Sequence, residues 1–201
     1  MPDEQEIPQS LREKIDYFLA GELEKTRIKE WRSKMGDIYF KESNFYALNK
    51  NKATKYDREI IKDITRTFPS EKLFQDTSLQ IKMFHIVRTY CVSDQDLGYC
   101  QGMCFPVGCI LKYFSESDAF CIFTFIMRDM RVKNLYEIES GSLSFLKKTF
   151  LSALKKHSPA MHKKIIDLKY EIDLILIPWT VALGCSLLNY NNIIEIIDLI
   201  L

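Results

Sequence analysis

The amino-acid sequence predicts an all-helical domain, on three observations. Apolar residues recur at intervals of three and four along almost the whole chain, the spacing that lines one face of an α-helix. Strand-like alternation of β-branched residues is scarce, and the 201 residues include only seven glycines and six prolines. With 47% hydrophobic residues the chain can bury one sizeable core, so a single domain is the working assumption.

The elements follow in order. Ser10 and Glu13 have capping-box spacing and open a short helix, Leu11 to Leu19, that stops at Gly21. Residues 1–20 are thus a lead-in to a domain occupying 21–201. A helix from Glu22 to Met35 places Leu23, Arg27, Ile28 and Trp31 on one side, with Trp31 as a core anchor, and ends at Gly36. From Asp37 to Ala53 the sequence is polar, spotted with aromatic residues and without clear period, which predicts an irregular segment.

Thr54, with Asp57 three residues on, opens a helix along which Tyr56, Ile60 and Ile64 stack every four residues. Asp63 and Arg66 fall on another side of it as i, i+3 neighbours, the spacing of an ordinary surface pair. Pro69 disfavours helical geometry at Phe68, so the helix should end close to Thr67 and leave Arg66 in a last turn, reaching outward. The next helix, about Thr77 to Val92, shows Ile81, Phe84 and Arg88 with Ile86, Val87 and Cys91 at its apolar face. The polar run from Ser93 to Asp96 breaks it. Gly98 and Gly102 then flank Tyr99, Cys100 and Gln101, and a glycine at each end would let a partner surface approach the backbone closely. A helix continues from there through Leu111.

Beyond it Ser117 caps a helix from Asp118 to Arg131, and another covers about Ser142 to Lys156. Ser158 and Pro159 read as the N-cap and first position of the next. The segments Ile172 to Leu188 and Asn192 to Leu201 read as apolar helices. The last pattern reaches Leu201 without a cap or glycine, so the domain is expected to continue past that residue.

Composition excludes several function classes. Lys and Arg total 28 against 27 Asp and Glu, a net charge of +1, so no global field draws in nucleic acid or an anionic surface. The longest uncharged stretch, Leu174 to Leu188, is interrupted by Pro178 and Gly184 and is too short for a membrane span; any membrane association is at most peripheral. The six cysteines lie in apolar helical stretches with no secretory signal ahead of them, as expected for reduced, buried thiols of a cytoplasmic protein. His85, His157 and His162 lack partners at metal-ligand spacing, and Cys100, Cys104 and Cys109 form no CxxC pair, so no metal site is expected. The lysines at 147, 148, 155, 156, 163 and 164 read as a solvated helix face ahead of a contact with lipid or an acidic partner. No GxxxxGK[ST] loop or GxGxxG turn cradles phosphate, and no serine, histidine and acid stand in a nucleophile setting.

Two strings stand out against this background. One is IxxDxxRTFP, from Ile60 through Asp63, Arg66 and Phe68 to Pro69; the other is GYCQGM, from Gly98 to Met103. Together with Arg27 four residues before Trp31, they resemble, in order, the three motifs of the TBC domain family, GTPase-activating proteins for Rab small GTPases. The likeness covers about residue 21 to the end. The chain departs from the family pattern in lacking a glycine after Arg27 and a proline before Gly98, and in placing Cys104 where asparagine is common.

The resemblance implies an all-helical fold in which Arg66 is an arginine finger and Gln101 a glutamine finger, both offered to a GTP-bound Rab. It also implies work in vesicle trafficking, in the cytoplasm and at most peripherally on endomembranes. A planar, permanently charged guanidinium suits the charge spread over a transferring γ-phosphoryl group. A glutamine amide can accept from the attacking water and donate to a phosphate oxygen. Asp63 would fix the Arg66 side chain before binding, with Tyr99, Gly98 and Gly102 supporting Gln101. GTP and magnesium would arrive with the GTPase, leaving the chain no cofactor and no chemistry of its own. The alternatives are a tether that binds a Rab without accelerating hydrolysis, and a helical scaffold for unrelated partners.

Overall fold

A computed structural model describes residues 25–136, 141–182 and 184. Among these the secondary structure is helical, with no strand. The expected helix at Leu11 to Leu19, Leu23, Cys185 and the segment Asn192 to Leu201 lie outside the described residues.

The first helix, α1, runs over 25–35, and Gly36 ends it at a φ of +53°. Trp31 is buried and its ring stacks on Phe114 at 4.8 Å, so it is the anchor that its place on the apolar face predicts. Arg27, one turn earlier, is half-buried.

The segment expected to be irregular is instead a helix, α2, Asp37–Asn49. Its packed face is built from Tyr39, Glu42, Ser43 and Tyr46, at helical spacing but half polar. Each polar end finds its partner on a distant helix, α6, Glu116–Arg128. Tyr39 donates to Asp118 at 2.7 Å, Tyr46 donates to Glu116 at 2.5 Å, and Glu42 pairs with Arg128 at 3.1 Å. Meanwhile Phe40 and Leu48 face solvent, which blurs the apolar pattern further.

Helix α3 covers Asp57–Ile64, and Ile60 and Ile64 bury one side of it as expected. After a 3₁₀ turn at Lys72–Gln75, α4 (Thr77–Ser93) runs through the centre and packs on α2, α3, α6 and α5, Cys104–Leu111. Its buried face is Leu79, Met83, Ile86, Val87 and Tyr90. Ile81 is not on that face: half of it remains exposed, about half a turn's rotation away from Met83. Asp76 caps α4 by accepting from the Ser78 amide.

The cap of α6 is Ser115 rather than Ser117, and the helix stops at Arg128 rather than Arg131. Ser115 has the better reach: it accepts from the Asp118 amide and donates to the Asp118 carboxylate at 2.6 Å, while Ser117 is bonded to Ser43. A 3₁₀ turn at Val132–Leu135 leads to α7 (Ser142–His157), which packs on α8 (Pro159–Asp167) and α9 (Asp173–Val181). Pro159 takes the first position of α8, where a missing amide hydrogen costs nothing, although Ser158 makes no side-chain cap.

Candidate functional site

Burial of Ile60 and Ile64 fixes the roll of α3 and so decides where its polar side points. Asp63 leans inward from it and Arg66 stands just past its last turn, exposed. Thr67 locks the helix end: it is buried, and its hydroxyl donates to the Asp63 carbonyl at 2.8 Å. The chain then leaves through Phe68, whose φ of +47° is unusual for a non-glycine residue. Its ring holds that turn by packing on Phe74 at 4.7 Å and edge-on to Phe105 at 5.2 Å. Pro69, which follows, is exposed and offers its carbonyl to Gln75. Arg66 is therefore presented from a braced turn.

The Gln101 segment is braced from the other side. Asp94, buried at the end of α4, accepts from the Leu97 amide with its carboxylate, and its carbonyl accepts from the Gly98 amide. Burial alone would raise the Asp94 pKa, but the Lys133 ammonium at 3.2 Å and the Leu97 amide outweigh it and hold the carboxyl below its usual value. Gly98 sits at a φ of +64°, buried against the phenol of Tyr56, which would overlap any Cβ placed there. The close approach that this glycine allows is thus internal, from Tyr56, and not from a partner. Gly102, at a φ of +104°, is also buried.

Tyr99 joins the two segments. Its hydroxyl donates to the Asp63 carboxylate at 2.5 Å and lies 3.8 Å from the Cys104 sulfur. Burial first, then Cys104 and Asp63, push the Tyr99 pKa well above the usual tyrosine value, and burial pushes the Cys104 thiol up to about 12. Both groups stay protonated near neutrality. Asp63 does not pair with Arg66 as the i, i+3 spacing suggests, because the carboxylate is turned in toward Tyr99. Among the described residues, no hydrogen bond or ion pair holds the side chain of either Arg66 or Gln101.

Asp63, Arg66, Gln101, Gly102 and Phe105 line one side of a cleft of about 410 Å³. The other side comes from the C-terminal region: Ile177 and Pro178 of α9, and Ala182 just beyond it. Sequence reasoning did not include Phe105 or these three. Phe105 was within reach, four residues after Gln101 and one helical turn along, but no local signal ties α9 to α3.

The family described as Rab-GTPase-TBC domain matches residues 9–201, nearly the whole chain. The chain belongs to the RabGAP-TBC family. The TBC domain of a Chlamydomonas flagellar RabGAP, known from a crystal structure, superposes with a TM-score of 0.62 at 14% identity, over 100% of this chain and 67% of that one. This TBC chain is also 28% identical over 197 residues to the GTPase-activating protein gyp2 of Schizosaccharomyces pombe, covering 96% of this chain and 25% of that protein. It is 32% identical over 107 residues to the human Ecotropic viral integration site 5 protein homolog, covering 52% of this chain and 13% of that protein. This TBC chain therefore spans a small part of the length of these curated relatives.

Arg27 and Trp31 do not reach the cleft; they belong to α1 and its packing. Ile60, Phe68 and Pro69 do not line the cleft either; the Phe68 ring supports its wall from behind, against Phe105. No group of three or more metal-ligating side chains occurs among the described residues, and no helix among them is long and apolar enough to cross a membrane.

Proposed function

We propose that this TBC domain is a GTPase-activating protein for a Rab-family small GTPase. One observation carries the reading: Arg66 and Gln101, from separate segments and unheld by other side chains, are exposed on the same cleft. In trans, Arg66 neutralises charge developing on the γ-phosphoryl group, and Gln101 orients the attacking water in place of the GTPase's own glutamine. Neither step needs a proton to be gained or lost by this chain. GTP and Mg²⁺ are carried by the GTPase, which performs the reaction. In this reading the domain meets GTP-bound Rab at the cytoplasmic face of an endomembrane and takes part in vesicle trafficking.

Single-turnover GTP hydrolysis by a panel of purified Rab GTPases, with and without the protein, tests this. Acceleration of one or a few members is expected, on the ~10³ to 10⁵ scale known for arginine fingers. It should be lost in Arg66→Ala and Gln101→Ala with the helical content unchanged. Stimulation retained in both variants would remove the two-finger mechanism, and Rab binding without any acceleration would make the domain a tether.

A further inference from the structure

The segment from Ser142 to Tyr170 holds seven lysines, one aspartate and no arginine. With the histidines neutral its formal charge is +6, leaving −5 on the remainder of a chain whose net charge is +1. The neutral total thus hides a strongly basic hairpin, and the hairpin is not part of the Arg66–Gln101 cleft.

The two helices of this hairpin, α7 and α8, contribute no fully buried residue. At 100° per residue, Leu146, Phe150 and Leu154 share the half-buried side of α7, where Phe150 meets Trp179 of α9 edge-on. Lys147 is on that side too, paired with Asp173 at 2.8 Å. The opposite side presents Phe145, Lys148, Ser152 and Lys156 at intervals of three and four, all exposed. On α8 the half-buried residues are His162 and Ile165, and Lys163, Lys164 and Ile166 are exposed. Apart from Lys147, these lysines have no hydrogen-bond or ion-pair partner among the described residues.

Charge alone would suit any polyanion, but large apolar side chains stand among the lysines. Phe145 is 73% exposed, Ile166 53% and Leu168 65%. A nucleic acid or an acidic protein segment would leave such groups in water, whereas a bilayer interface takes apolar side chains below its headgroups while lysines meet anionic lipid above them. The lack of arginine points the same way, since planar two-point recognition of single phosphates favours guanidinium, and a diffuse negative surface accepts ammonium point charges.

We propose that the α7–α8 hairpin is a docking surface for an anionic lipid bilayer, with Lys148, Lys155, Lys156, Lys163 and Lys164 over the headgroups and Phe145 and Ile166 at the acyl boundary. Lysines near such a surface each strengthen partitioning by roughly fivefold. The contact is reversible and salt-sensitive, because screening shortens from ~10 Å at 0.1 M to ~3 Å at 1 M ionic strength.

Co-sedimentation with vesicles of phosphatidylcholine, with and without phosphatidylserine, tests this on the whole chain. Binding to the serine-lipid vesicles only, lost in high salt, is expected. Reversing four charges (Lys155→Glu, Lys156→Glu, Lys163→Glu, Lys164→Glu) should weaken it by more than about 100-fold while the circular dichroism spectrum stays unchanged. Phe145→Ser should weaken it without altering the salt dependence. Absence of binding to anionic vesicles overturns the proposal, as does binding unaffected by the four reversals. Binding to soluble heparin but not to vesicles also overturns it and would mark the hairpin as a polyanion site.

Discussion

The Tyr99 hydroxyl donates to the Asp63 carboxylate across 2.5 Å, and this contact ties the end of α3 to the loop carrying Gln101. The segments carrying Arg66 and Gln101 are thereby held in a fixed relation, which in the proposed mechanism lowers the ordering cost of binding a GTPase. Tyr99→Phe keeps the ring and removes the bond. It should slow the stimulated hydrolysis of GTP at saturating protein more than it raises the protein concentration needed for half-maximal effect. Stability should fall by about 1 to 3 kcal/mol, as for a hydrogen bond to a charged group. A single-turnover titration together with urea unfolding separates the two effects.

Gly98 is required by Tyr56 as well as by its own backbone. Gly98→Ala should lower stability by more than about 1 kcal/mol and reduce stimulation of the GTPase. Tyr56→Ala in the same chain removes the collision but leaves the positive φ. Partial recovery of the melting temperature in the double variant, relative to the sum of the single effects, is the expected sign that Tyr56 fills the space.

Ile177 is nearly half exposed on the far wall of the cleft. Ile177→Asp should change stability by no more than about 0.5 kcal/mol, as for a surface position. If the GTPase seats against that wall, the half-maximal concentration should rise several-fold with little change in the maximal rate. A kinetic titration of the variant reads this directly.

Stability should respond to pH at both ends. At the acid end, burial would raise the Asp118 pKa, but Ser115, Tyr39 and Arg32 together hold it below the usual carboxylate value. This contribution is full above the unfolded value near 3.9 and is lost as pH falls through the lower folded value. At the alkaline end, burial pushes Cys91, Cys104 and Cys121 from 9.0 to about 12. Between those limits the unfolded chain gives up protons that the folded chain keeps, so stability drops with rising pH by up to about 1.4 kcal/mol per unit for each thiol. Urea midpoints measured across pH should decline above pH ~9, and Cys104→Ala should make that decline shallower.

Much of the site could be read from local sequence. Ile60 and Ile64 at four-residue spacing set the buried side of α3, and Pro69 announced the end that frees Arg66. Helix α2 was hidden because Tyr39, Glu42 and Tyr46 bury polar ends that only Asp118, Arg128 and Glu116, some 70 or more positions away, can satisfy. Helical spacing alone favours an Asp63–Arg66 pair, yet a carboxylate bonds where its geometry is best, and Tyr99 offers a half-buried donor 36 positions later.

By itself, then, the sequence determined the helical class, the order of the motifs and the residue types that could act, since period, capping and side-chain chemistry are local properties. Tertiary structure decided which of those residues meet. It turned Asp63 toward Tyr99, set Tyr56 against Gly98, and closed the cleft with Ile177 and Pro178 from α9. Such contacts depend on how helices roll and cross when their apolar faces pack, and no spacing along the chain encodes that.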